Sequence, residues 1–159
     1  MTRKRRVHWE PGAQFAVPLP DGSYGIGQAI ALMMPNVVYC ALTSHRALAL
    51  PAAPAAVSPA DVVSRVAVSR EQLDYGAWPI LAATQLLAEK ADFTNEKFAS
   101  VGYVGAKVYD AALAEEFLAA FHGLAPWDDY HDPHYLDAWL TSPARKPIAL
   151  RFRSDAPAS

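Results

Sequence analysis

QFAVPLPDGSYGIGQAIALMMPNVVYCALT, residues 14–43, decides how this chain folds. Phe15, Val17 and Leu19 alternate with Gln14, Ala16 and Pro18. A period of two places alternate side chains on opposite sides of a strand, so the spacing predicts a strand with one buried face. Pro18 and Pro20 lack amide donors, which suits a strand end or a sheet edge. Asp21-Gly22 accepts the positive φ angles of a tight hairpin. The apolar run Tyr24 to Met33 follows, with Gly25 and Gly27 inside it. Pro35-Asn36 marks a second turn, and Val37 to Thr43 a third strand. Three strands joined by tight turns make an antiparallel meander, either open or curled into an SH3-like partial barrel.

Further along the chain, LPAAPAAVSPAD (residues 50–61) is rich in Ala and Pro and reads as a connector centred on residues 51–60. Val62 to Val68 is β-branched and strand-like. Trp78-Pro79 argues for an extended break, whereas Ala82 to Lys90 contains helix formers. Gly102 to Tyr109 reads as another strand. The clearest helix begins after Asp110, a good N-cap, with Glu115 and Glu116 in its early part. Leu113, Phe117, Ala120, Phe121 and Leu124 recur at spacings of three and four and share a face. Gly123 suits the C′ position, with His122 before it. Asp132-Pro133 signals a second short helix with Tyr135, Leu136, Trp139 and Leu140 as its apolar side, ended by Pro143. Pro147 to Phe152 reads as a last strand. The fold class expected is α+β: the meander or partial barrel, with a C-terminal helical segment packed on the sheet. Residues 1–10 read as a flexible basic arm, 11–153 as a single domain and 154–159 as a loose tail.

The chain has 159 residues, 52% hydrophobic and 19% charged, which is too apolar for a disordered segment. The net charge of −2 conceals an asymmetry. Arg3, Lys4, Arg5 and Arg6 are four of the 14 basic residues, so the remainder has 10 against 16 acidic residues, a balance of −6. Between Lys107 and Arg145 there is no Lys or Arg, yet Asp110, Glu115, Glu116, Asp128, Asp129, Asp132 and Asp137 fall there. An acidic body argues against nucleic acid as a partner, because phosphate binding needs cations on the folded face. No apolar run approaches the roughly 20 residues of a membrane span. No apolar stretch follows MTRKRR, so no secretory signal is expected, and the chain reads as soluble and cytoplasmic.

The candidate chemistries are weak when set against plain structural readings. The single Cys40 can form neither an internal disulfide nor a multi-cysteine zinc site, and its apolar neighbours mark it as a small buried hydrophobe. Gly22, Gly25 and Gly27 do not follow a strand and open a helix, as a dinucleotide fingerprint requires, so hairpin and close strand packing explain them better. In WDDYHDPHY (residues 127–135), His131 and His134 with their neighbouring Asp residues are metal-capable. Pro133 interrupts the pair, and a capped loop-to-helix junction with Trp127 and Tyr135 packed inward is the simpler account. Ser44-His45 and the other histidines form no recognisable nucleophile arrangement. Paired carboxylates in an acidic segment are weak evidence for a glycosidase. No catalytic residue, resident metal or cofactor is therefore expected.

Two segments carry a resemblance. Gly12, Phe15, Pro18, Leu19, Asp21, Gly22, Tyr24 and Gly25 lie at one end of the chain. Gly123, Leu124, Pro126, Trp127, Asp128, Asp132, Pro133 and Tyr135 lie near the other. In order and spacing these blocks resemble the immunity protein 26 family of bacterial polymorphic toxin systems. Residues 45–100 add nothing to the resemblance. It implies an antidote rather than an enzyme, a protein that binds a cognate toxin, with a nuclease as one candidate. It assigns no toxin-binding residues. The acidic segment supplies those independently, since clustered carboxylates would be steered toward a basic toxin surface. The expected contact set is Glu115, Glu116, Asp128, Asp129 and Asp132, with Trp127 or Tyr130 as aromatic anchor. The alternatives are a small β-sheet module for peptide or ligand, recognisable by an aromatic groove on the first three strands, and an uncharacterised hydrolase.

Overall fold

Five strands, β1 (Ala13–Pro18), β2 (Tyr24–Met34), β3 (Val37–Ala47), β4 (Val62–Ser69) and β5 (Ile80–Ala83), pair in the order β4-β3-β2-β1-β5. Every neighbouring pair is antiparallel. The computed structural model describes residues 5–155. The first three strands are the expected meander, and β4 and β5 extend it at either edge into an open sheet. With helix α2 (Ala111–Phe121) against it, the architecture is α+β. A four-residue helix, α1 (Glu71–Asp74), links β4 to β5.

The turns form where the residues require them. Gly22 has φ +85°, and Asp21 Oδ1 accepts the Ser23 amide at 3.1 Å. Arg46, at the far end of β3, pairs with Asp21 and donates Nε to Ser23 Oγ at 2.9 Å. Pro35-Asn36 joins Met34 to Val37, which are paired across β2 and β3.

Alternation predicts one buried face, but the structure buries both. On one side Phe15, Val17, Val38, Cys40 and Val68 lie beneath Phe117 and Leu118 of α2 and beneath Trp127 and Trp139. On the other, Ile30, Tyr39 and Ala67 lie beneath Leu87, Ala88 and Phe93. Gln14, which alternation would expose, is 0% exposed, and so is Gln28. Both make the hydrogen bonds that burial demands. The Gln14 amide donates to Ala55 O at 3.0 Å and accepts from Ala55 N at 2.6 Å, docking the proline-rich connector. Gln28 Nε2 donates to Gly12 O, Thr84 Oγ1 and Gln85 O, while its Oε1 accepts from Leu87 N at 2.7 Å.

That clamp explains why Ala82 to Lys90 is not helical. Its backbone is held by Gln28, and Ile80–Ala83 instead pairs with β1. The strand expected at Gly102 to Tyr109 is also absent. Gly102, Tyr103 and Gly105 have φ of +65°, +63° and +91°, which folds the segment into turns, and only Tyr109 bridges to Val68. A 3-10 helix at Thr94–Val101 precedes it. Pro147 to Phe152 is likewise no strand, contributing one bridge between Arg151 and Pro126. The short helix after Asp132 is a 3-10 helix, Tyr135–Trp139.

Helix α2 begins and ends as read. Asp110 accepts the Ala112 amide at 2.9 Å. Gly123 has φ +76°, its amide reaches Ala120 O, and the Leu124 amide reaches Ala119 O, the paired bonds of a Schellman cap. The buried residues are Ala111, Ala114, Phe117, Leu118, Ala119 and Ala120, so Leu113, Phe121 and Leu124 of the expected face lie at the half-buried margin.

Part of the N-terminal arm lies within the described residues. Asp74, 1% exposed, accepts Trp9 Nε1 at 2.9 Å and Arg70 Nε at 2.9 Å, and Arg6 Nε lies 3.3 Å away. Residues 1–4 and 156–159 of the expected arm and tail lie outside the described residues. Among those described, no helix is long and apolar enough to cross a membrane.

Gly25 and Gly27 provide the close approach. A Cβ at Gly25 would lie 3.0 Å from Leu118, and one at Gly27 would lie 2.6 Å from the Phe15 ring. That ring is stacked on Trp78, centroids 5.1 Å apart, and cannot retreat. Gly27→Ala is therefore expected to destabilise by ~1–3 kcal/mol, the usual range for overpacking. In urea denaturation, the added Phe15→Leu change should recover part of that loss. A double-mutant cycle that is additive would show that the contact is not what limits position 27.

Candidate functional site

The Schellman cap turns the chain sharply after α2 and sends Trp127 back into the core. Trp127 is 1% exposed and packs on Phe117, centroids 5.7 Å apart. Its Nε1 donates to Asp137 Oδ1 at 2.8 Å. Lys146 Nζ lies 2.9 Å from the same carboxylate, and His134 Nδ1 lies 3.0 Å from Oδ2. Burial alone would raise the Asp137 carboxyl, but hydrogen bonds from Lys146, Trp127 and His134 outweigh it and hold the group down at about 2.

Several residues of the acidic segment are engaged in the same way. Glu115 Oε1 accepts Trp78 Nε1 at 2.9 Å and Gln72 Nε2 at 2.8 Å, tying α2 both to α1 and to the segment between α1 and β5. Asp128 Oδ1 accepts the Arg153 amide at 2.7 Å. Asp132 Oδ1 accepts the His134 amide at 2.9 Å and fixes the turn into the 3-10 helix, although its side chain stays exposed.

The part of the acidic segment left exposed is narrower than the sequence suggests. Tyr130 stacks on Tyr135 with centroids 5.1 Å apart and an interplanar angle of 30°. Both rings are half-buried. Burial, then the charges of Glu116, Tyr135 and Asp129, push the Tyr130 phenol up to about 12. Glu116 and Asp129 are exposed. Arg153 Nε lies 3.7 Å from Asp129, but both side chains are about two-thirds in solvent, where such a pair is weak.

The anchor expected at Trp127 is thus corrected. Its indole is enclosed and its N–H is spoken for, so Tyr130, backed by Tyr135, is the aromatic surface. Tyr135, read from the sequence as packed inward, is its stacking partner. Glu115 and Asp128 are occupied by internal hydrogen bonds. The acidic segment is also less negative than its own residues imply, because Lys146 and Arg153 fold back onto it. Only the fold reveals that neutralisation, since both cations lie beyond the segment in sequence.

His131 is exposed and His134 faces Asp137. Among the described residues, no group of three or more His, Cys, Asp or Glu is placed to hold a metal ion. Cys40 is buried, and burial pushes its thiol well above the ordinary range, consistent with a small core residue. Comparison with family models, curated proteins and solved structures found no match to this chain.

Asp137→Ala would leave the Trp127 indole without its acceptor. The expected cost is ~1–3 kcal/mol at neutral pH, the penalty for an unpaired buried donor. Because the folded carboxyl is held below its ordinary 3.8, its contribution is present above that value and is lost as pH falls toward about 2. Urea midpoints should show a full deficit for the variant at pH 7 and pH 5 that narrows below about pH 4. A deficit that is flat through that range would remove Asp137 ionisation from the account.

Proposed function

We propose that this protein is a non-catalytic immunity protein, which binds a protein toxin in the cytoplasm of the producing cell and blocks it. The observation that carries this reading is the stacked Tyr130–Tyr135 pair with exposed Glu116 and Asp129 at its side. Tyrosine anchors are enriched among residues that dominate binding energy, and neighbouring carboxylates accelerate encounter with a basic surface. A nuclease, whose substrate site is basic, is the toxin class this complements.

The resemblance to the immunity protein 26 family supports the same reading, and the structure gives its matched residues work of their own. Gly25 admits Leu118, Gly22 makes a turn, Gly123 caps α2, Trp127 fills the core and Asp128 holds Arg153. Glu116, Asp129 and Tyr130 lie outside the matched positions. A shared scaffold with its own exposed side chains is what toxin-specific antidotes require. The alternative, a ligand-binding β module, called for an aromatic groove on the first three strands. An aromatic cleft does exist, but it is centred on β4 and the segments beside it.

The test pairs Glu116→Lys with Asp129→Lys and leaves Glu115, Asp128, Asp132 and Asp137 intact. Exposed changes of this kind should alter stability by no more than about 0.5 kcal/mol. With a candidate toxin encoded beside this gene, co-purification and growth rescue are expected for the native protein. The double variant should associate about tenfold or more slowly at low salt, with rescue weakened. Rescue and association rate unchanged in the variant would remove this surface from the interface. Failure of the native protein to rescue or to bind any adjacent toxin would overturn the function.

A further inference from the structure

Gln14 of β1 and Gln28 of β2 are direct partners across their ladder. Residues opposite one another in an antiparallel pair project from the same face, ~4.5–5.5 Å apart at Cβ. The two amides rise together and then hold different segments. Gln14 exchanges two hydrogen bonds with the Ala55 backbone, and Gln28 bonds Thr84, Gln85 and Leu87. Among the described residues, 48–57 makes no other hydrogen bond to the rest of the chain. A buried polar pair is tolerated only when its bonds are made, so both segments are fixed where the glutamines place them.

A groove of about 350 Å³ lies between those segments. One wall runs from Ala55 to Pro59 and the other from Thr84 to Leu87. Leu87 is 7% exposed and belongs to the second core cluster, against which Val57 also packs. Ala56, Ser58, Gln85 and Leu86 are exposed, so the groove is open to solvent on both walls. The glutamines build it and are themselves fully buried; the outer segments supply the contacts. No Asp, Glu, Lys, Arg or His lines it, on a chain that is 19% charged. An ion entering it would shed water with no opposite charge to replace that water.

We propose that this groove binds a small uncharged molecule, apolar over most of its body and carrying a hydroxyl or amide. Val57, Leu86 and Leu87 enclose the apolar part, and Ser58 and Gln85 offer neutral donors and acceptors from opposite walls. The volume stands at the lower end of the ~300–1,000 Å³ of small-molecule sites. A cavity of ~150 Å³ takes one benzene ring, which limits the occupant here to about two rings. The groove is on the face of the sheet opposite Phe117 and Trp127, the cluster against which Tyr130 packs. The proposal therefore stands whether or not the Tyr130 surface binds a toxin.

Methyl signals in a proton–carbon correlation spectrum of the full chain read this out, with Val57, Leu86 and Leu87 as reporters and Val66 as the distant control. Four probes separate the chemistry: benzyl alcohol, sodium benzoate, benzylammonium chloride and glycerol. Benzyl alcohol should shift the three reporters saturably and leave Val66 in place. Benzoate and benzylammonium, of the same shape but charged, should bind about tenfold more weakly or worse. Glycerol, which lacks the apolar body, should cause no saturable shift. Ala56→Trp and Gln85→Trp, exposed changes on opposite walls, should each abolish the response with the urea midpoint unchanged. Reporters that ignore benzyl alcohol, charged analogues that bind as tightly, or binding that survives both substitutions would overturn the proposal.

Discussion

The Phe15 ring occupies the space that a side chain at position 27 would fill, and the rest of the molecule is organised around that contact. Phe15 lies opposite Gly27 across the β1–β2 ladder and stacks on Trp78 at 5.1 Å. Trp78 then donates its indole N–H to Glu115 of α2. One column of side chains thus joins the first hairpin, the segment entering β5 and the main helix. Gly25 repeats the device two residues earlier, letting Leu118 settle against β2. Interiors pack at crystal-like density, so a helix seated this closely has a single position, and everything after it inherits that position.

From the end of α2 the chain is directed by polar contacts as much as by apolar ones. The Schellman cap sets the exit, the Trp127–Asp137 hydrogen bond fixes the following loop, and Lys146 and Arg153 return to the carboxylates. These ties leave the stacked Tyr130 and Tyr135 half-buried, with Glu116 and Asp129 exposed. The same packing holds Trp139 between Phe117 and Tyr109.

The meander was legible because its signals are local: a period of two, Asp21-Gly22 and Pro35-Asn36. The caps of α2 were legible for the same reason. Gln14 misled the reading of one buried face, since a polar residue at an alternate position normally marks solvent. Its partner Ala55 lies 41 positions away, and the Thr84, Gln85 and Leu87 groups that bond Gln28 lie 56 or more from it. Long-range partners also decide the other discrepancies. Helix formers in Ala82 to Lys90 yield to the Gln28 clamp, and Trp127 loses its role as an anchor to an Asp137 that sequence alone could not place beside it. The aromatic-and-acid character of the site was visible in WDDYHDPHY. Which aromatic faced out was not, because both Trp127 and Tyr130 suit either environment until the core is built.

Hydrogen–deuterium exchange, comparing the protein alone with its complex with the cognate toxin, tests the central claim most directly. The account predicts slowed exchange around Glu116 and through Asp129 to Tyr135, with the sheet edges β4 and β5 unchanged. Protection confined to a sheet edge, with residues 129–135 exchanging as in the free protein, would contradict it.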